Sequence, residues 1–191
     1  IGNDGRYRLK TQKYFEKETD VLSHFLENLY DLYSLKGEVD VWSDNEKPFE
    51  VQMVLYDKRE QRIVYELPCY KTQAVEESLV KVDCADDAFL RNLCEGEIGF
   101  SSGIGENGKM ELYTNFDIQY TCSKEESRNY YFGLRYTATL GTTLTGWSNT
   151  GTQLVSNGVA GWTEGTPNGA ISDMATGKGA ISVGAYCSKT S

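Results

Sequence analysis

The sequence predicts a mainly β fold: an antiparallel, jelly-roll-like β-sandwich with a few short helical segments. Three observations carry that expectation. Long stretches alternate apolar and polar residues, glycine- and asparagine-rich turns separate them, and aromatics make up 12% of the chain, including 13 Tyr, against only 3 Pro. Strand side chains return to the same face every second residue, so alternation marks a half-buried strand. Abundant aromatics with few prolines favour a packed core over a disordered chain.

From Val21 to Leu32 the apolar positions Val21, Leu22, Phe25, Leu26, Leu29 and Leu32 have helical spacing, which Tyr30 and Tyr33 blur, so this segment reads as a short helix or an edge strand. Val39 and Val41 then alternate with Glu38, Asp40 and Trp42; Phe49, Val51, Met53 and Leu55 alternate after the turn at Asp44–Pro48; Ile63, Tyr65 and Leu67 share a face after the turn at Asp57–Gln61. Three strands joined by short polar turns predict an antiparallel meander. Between Ala74 and Leu93, Val75, Leu79 and Val82 fit a helix or an irregular strand, and Asp86–Leu90 suits a helical turn with an aspartate cap. Met110 to Cys122 and Tyr130 to Leu140 are long alternating strands.

Composition shifts near residue 128. Residues 1–127 hold 15 basic and 26 acidic residues, whereas the remaining 64 hold 4 and 2, together with 11 of the 19 glycines. The tail reads as short strands and tight turns that close the same sandwich, because no run there is long enough for a core of its own.

The net charge of −9 argues against nucleic acid and anionic membrane surfaces as partners. No apolar run is long enough to span a bilayer, and the first residues lack a signal-peptide pattern, so any secretion signal belongs upstream. The cysteines Cys69, Cys84, Cys94, Cys122 and Cys187 form no Cys-x-x-Cys pair, and His24 is the one histidine. That spacing excludes a structural zinc site, and no metal or cofactor is expected. Cys84 and Cys94 are spaced to close a short loop, although buried free thiols fit as well. The acidic cluster Asp83, Asp86 and Asp87 reads as solvated charge rather than a calcium site.

The two ends differ from the middle. Ala175-Thr176-Gly177-Lys178-Gly179 is a small-residue turn feeding the apolar run Ala180–Tyr186, which suits a strand buried on both faces. At the opposite end, Gly2-Asn3-Asp4-Gly5 follows Ile1 like the tail of a strand entering a glycine turn. The closing run resembles the segment that leads into a core strand of subtilisin-like serine proteases, and the opening run resembles the Gly-Asn-Glu/Asp-Gly that ends the preceding strand in that family. A short loop joins these segments in a plain subtilase, and some bacterial subtilases carry a jelly-roll insert there.

The resemblance implies residues 1–5 and 171–191 as remnants of a catalytic domain and 6–170 as the insertion domain, with the flanking protease domain as its partner and a polypeptide substrate. It implies an extracellular or cell-envelope location in a bacterium. It also implies a role for Asn3, whose side-chain amide would donate to the oxyanion formed when serine attacks a peptide carbonyl; subtilisin's asparagine is itself the measured reference for that role. On its own residues, Asn3 reads as a turn asparagine before Asp4-Gly5, and it is the matching run at the other end that turns the reading toward the oxyanion role. The family's aspartate and histidine lie upstream of such an asparagine and its serine downstream of the matched strand, so no catalysis is expected of this chain alone. His24, Ser188 and Ser191 lack that context.

Two other motifs admit a functional reading. Gly103-Ile104-Gly105-Glu106-Asn107-Gly108-Lys109-Met110 has a Gly-x-Gly-x-x-Gly pattern, but phosphate binding needs a helix to start there, whereas strand alternation follows and Asn107-Gly108 signals a hairpin. Trp42, Trp147 and Trp162 suit either a core or a sugar-stacking face, so a freestanding carbohydrate-binding module is the rival expectation. A protease inhibitor or intramolecular chaperone is a further alternative.

Overall fold

The computed structural model describes residues 7–29, 31, 33–74, 79–148 and 151–167. In chain order its strands are β1 (Lys10–Tyr14), β2 (Leu22–Asn28), β3 (Ser34–Ser43), β4 (Phe49–Asp57), β5 (Arg62–Glu66) and β6 (Tyr70–Lys71). They continue as β7 (Val80–Asp83), β8 (Cys94–Ile104), β9 (Met110–Tyr120), β10 (Tyr130–Ala138), β11 (Thr143–Ser148) and β12 (Thr152–Val155). A 3₁₀ turn covers Leu90–Asn92 and one short helix, α1, covers Lys124–Ser127.

Two antiparallel sheets result. The first runs β1-β11-β3-β9-β8-β7, and the second runs β12-β2-β10-β4-β5 with β6 also on β4. The first four strands alternate between the sheets, and so do β9 to β12. Each early strand pairs with a late one: β1 with β11, β2 with β10 and β12, β3 with β9 and β11, β4 with β10. This is a long antiparallel hairpin rolled up on itself, the jelly-roll winding.

The alternating stretches place their apolar faces as expected. Met110, Leu112, Phe116 and Ile118 of β9, Val39 and Val41 of β3, and Phe49, Val51, Met53 and Leu55 of β4 meet in one core between the sheets. The β8–β9 hairpin turns at Asn107-Gly108, where Gly108 adopts φ +72°, a conformation that glycine takes without steric cost. Asp87 organises the 3₁₀ turn, accepting hydrogen bonds from the Phe89 and Leu90 amides at 2.8 and 2.9 Å. The glycine-rich tail supplies β11, β12 and turns with positive φ at Gly141, Gly151, Gly158 and Gly161.

Two sequence expectations require correction. Among the described residues of Val21–Leu32 there is neither a helix nor an edge strand: β2 lies between β12 and β10. Its run Leu22–Leu26 is buried on both faces, which destroys the alternation. The meander also fails at its first step, because β3 and β4 belong to different sheets and Asp44–Pro48 crosses between them. Only β4 and β5 form the expected hairpin. A register shift opposite Leu55/Tyr56 leaves Val64 unpaired, so Ile63 packs in an outer cluster while Tyr65 and Leu67 pack against the main core.

His24 points into the core, fully buried, with its ring 5.5 Å from that of Tyr136. Neither ring nitrogen has a hydrogen-bond partner among the described residues, and burial pushes its pKa down to about 3. The imidazole is therefore neutral in the fold and takes up a proton on unfolding below its ordinary value of 6.5. Since the unfolded state binds more protons across that window, stability falls as pH drops from 6.5 toward 3. Acid unfolding followed by tryptophan fluorescence is expected to show a loss of about 2 kcal/mol between pH 7 and pH 5, with a flatter profile for His24→Leu.

Candidate functional site at the neck of the sandwich

The described chain enters and leaves the sandwich side by side. The Lys10 amide donates to the Thr166 carbonyl at 3.1 Å, and the Thr166 amide donates back to the Lys10 carbonyl at 2.7 Å, an isolated antiparallel bridge. The neighbouring residues are bonded as tightly. The Arg8 carbonyl accepts from the Leu154 amide at 2.8 Å, the Arg8 amide donates to Gln153 Oε1 at 3.0 Å, and the Gly165 amide donates to the Leu154 carbonyl at 3.0 Å.

Side chains reinforce this neck. Arg8 forms an ion pair with Glu164, whose Oε2 also accepts from the amide and hydroxyl of Ser156, each at 2.6 Å. Burial alone would raise the Glu164 carboxyl, but the Ser156 bonds and the Arg8 charge outweigh it, and the net shift is downward. Gly165 is required by space: a Cβ there would lie 2.5 Å from the Leu154 carbonyl and 3.0 Å from that of Arg8.

The path back to the neck crosses the outside of the second sheet. The Thr163 amide donates to the Ser23 carbonyl at 2.7 Å, and the Ser23 hydroxyl donates to the Gly161 carbonyl at 2.9 Å. Trp162 stacks on Phe25, ring centroids 3.6 Å apart, and lies so close over Gly133 that a Cβ would come within 2.5 Å of the indole. Phe25, Tyr56 and Val155, with Ile63, Tyr131, Val159 and Trp162, make a second apolar cluster on this outer face.

The other sequence candidates are dispersed. Asn3, the Ala175–Tyr186 run, Cys187, Ser188 and Ser191 lie outside the described residues. His24 lies in the core, away from any surface cleft. The Gly103–Met110 loop is a hairpin that enters β9 directly, with no helix N-terminus to receive a phosphate. Trp42 packs over Gly105 and donates its Nε1 hydrogen to Asp40 at 2.9 Å; Trp147 is half-buried with the Lys10 ammonium 5.8 Å from its ring centre. Asp83 accepts from the Ala85 amide at 2.8 Å, which is loop capping. Among the described residues no group of His, Cys, Asp and Glu side chains is placed to hold a metal ion.

Depressions among the described residues include a trough and a cleft. An open acidic trough of about 420 Å³ on the first sheet is lined by Asp83, Glu95, Glu97 and Asp117, and Lys36 and Lys81 already pair with Asp117 and Glu97 at 2.7 and 2.9 Å. A cleft of about 170 Å³ at one end is lined by Glu27, Asp31, Tyr120 and Tyr131, with the Lys58 ammonium 3.8 Å from the Tyr131 ring centre.

Sequence reasoning missed the neck. Its one local signal is the run Gly161-Trp162-Thr163-Glu164-Gly165, which shows neither which strand the tryptophan covers nor which carbonyls crowd the glycine. No family model matches the chain, and neither does any curated protein or solved structure.

Urea unfolding is expected to cost about 2 kcal/mol for Gly165→Ala, from the crowding of two backbone carbonyls, and about 3 kcal/mol for Trp162→Ala, from the exposed Phe25 face. Midpoints equal to that of the unsubstituted protein would mean that the neck and its cover do not hold the sandwich closed.

Proposed function

We propose that residues 6–170 are a non-catalytic domain inserted into a subtilisin-like serine endopeptidase, where they shape substrate access or stabilise the host. The observation that carries this reading is the bridge between Lys10 and Thr166. A domain inserted into a host loop has to begin and end at nearly one point, whereas a domain appended at a single linker does not. Two backbone hydrogen bonds and the Arg8–Glu164 pair meet that requirement and make the attachment stiff. The subtilase-like runs Gly2–Gly5 and Ala175–Tyr186 flank this neck on its two sides, which supports the choice of host.

On this reading the insert follows the strand that ends at Asn3, so it stands next to the oxyanion hole of the host. Asn3 is the proposed oxyanion donor of the complete enzyme: a neutral amide stabilises developing negative charge without itself exchanging a proton. The isolated chain is proposed to have no peptidase activity, because hydrolysis by this chemistry needs serine, histidine and aspartate together. The glycan-binding alternative has less behind it. The indole of Trp162 is committed to Phe25 and Gly133, and that of Trp42 to Gly105.

The test is made in the full reading frame. Removing residues 8–166 and rejoining the ends with a short loop is expected to alter cleavage preference across a peptide library or to lower the melting temperature of the protease. If both stay as they were, the reading is wrong. Asn3→Ala in the full enzyme is expected to lower kcat by roughly 10²–10³ with little change in KM, matching the measured loss in subtilisin. A saturable change in tryptophan fluorescence on adding polysaccharide to the isolated chain would favour the rival module.

A further inference from the structure

Cys84 and Cys94 bracket the loop 85–93, which joins β7 to β8. Strand pairing runs from Val80↔Phe100 to Asp83↔Glu97, and the Cys84 amide extends it by donating to the Gly96 carbonyl at 2.9 Å. Both side chains turn into the main core, 0% and 1% exposed, with Cys84 opposite Gly96 and Cys94 two residues before that glycine. Diagonal neighbours on one face of a strand pair stand about 7–8 Å apart, so a modest shift of the loop brings the two sulfurs to the roughly 2 Å bond of a disulfide.

The enclosed loop fastens the two sheets together. Asp87 accepts a hydrogen bond from the Tyr65 hydroxyl of β5, Phe89 stacks on the Tyr65 ring with centroids 4.8 Å apart, and Leu90 is fully buried. The other described thiols are placed differently. Cys122 is half-buried, its amide bonded to the Leu93 carbonyl at 3.3 Å, and Cys69 is exposed, with its thiol 3.6 Å from a Glu50 carboxylate oxygen.

We propose that Cys84 and Cys94 are an oxidation site: a disulfide between them closes loop 85–93 when the protein meets a small-molecule disulfide such as oxidised glutathione. The Cys84 thiol gives its proton to water, from which the second glutathione thiolate later takes one up, and the Cys84 thiolate attacks one sulfur of the oxidant, forming a mixed disulfide and expelling one glutathione thiolate. That thiolate takes the Cys94 proton, and the Cys94 sulfur then attacks Cys84 Sγ and expels the second glutathione. Two protein thiols and one oxidised glutathione thus become one protein disulfide and two glutathione thiols. Because both sulfurs are buried, exchange takes place as loop 85–93 opens, or before it closes during folding.

The experiment uses the unsubstituted chain and does not depend on the protease reading. The chain is refolded in oxidised and reduced glutathione, acid-quenched, alkylated and digested, and its linked peptides are identified by mass spectrometry. A Cys84–Cys94 crosslink is expected as the main product, retained in Cys122→Ala. The melting temperature of the oxidised form should exceed that of the dithiothreitol-treated form by roughly 5–10 °C. Recovery of Cys84 and Cys94 in alkylated form, or a main crosslink through Cys122 or Cys69, overturns the proposal.

Discussion

Strands from the first third of the chain take their hydrogen bonds from strands in its second half, and the rest of the structure depends on that pairing. β4 lies along β10 from Tyr130↔Asp57 to Ala138↔Phe49, and β1 lies along β11 from Lys10↔Trp147 to Tyr14↔Thr143. None of the early strands except β4, with its β5 hairpin, has a partner nearby in the sequence. The polar backbone of the first half is satisfied only when the second half arrives. Such a nonlocal arrangement closes large loops before contacts repay the lost chain entropy, so folding is expected to be slow for the domain's size.

The same winding explains the neck. A hairpin rolled from its closed end leaves its two open ends together, and here they meet at Lys10 and Thr166. The chain reaches that point by crossing the outer face of the second sheet, where Trp162 lies against Gly133 and Phe25. The sandwich thus has a dry layer outside its second sheet as well as between the sheets. Glycine at 133 and 165 is a requirement of contact: one position admits an indole, the other two backbone carbonyls.

Among the described residues, those that suggest chemistry in the sequence have structural occupations in the fold. His24 fills core volume as a neutral ring. The glycine-rich loop at Gly103–Gly108 is a hairpin whose Asn107 side chain accepts from the Lys109 amide at 3.0 Å. The carboxylates of Asp83 and Asp87 cap loop amides. Asp57 shows the same use of charge. The Arg59 guanidinium binds it directly, two amides of the following turn add to that, and its pKa falls to about 2. What remains distinctive is the neck, a product of nonlocal contact, and the thiol pair, which closes one hairpin loop.

The sequence by itself determined the fold class and most strand positions, because β3, β4, β9 and β10 each have a face toward the core between the sheets and that face repeats every second residue. It also marked the tight turns, since Asn107-Gly108 and the tail glycines are local backbone requirements. Tertiary structure alone decided which strands pair. It made β2 an interior strand covered on both faces, so its apolar residues lose the alternation and imitate a helix. It separated β3 from β4 across the two sheets, and it brought Arg8 to Glu164. The physical reason is range: side-chain periodicity records whether a position is dry, while the identity of the surface that keeps it dry depends on residues far away in the chain.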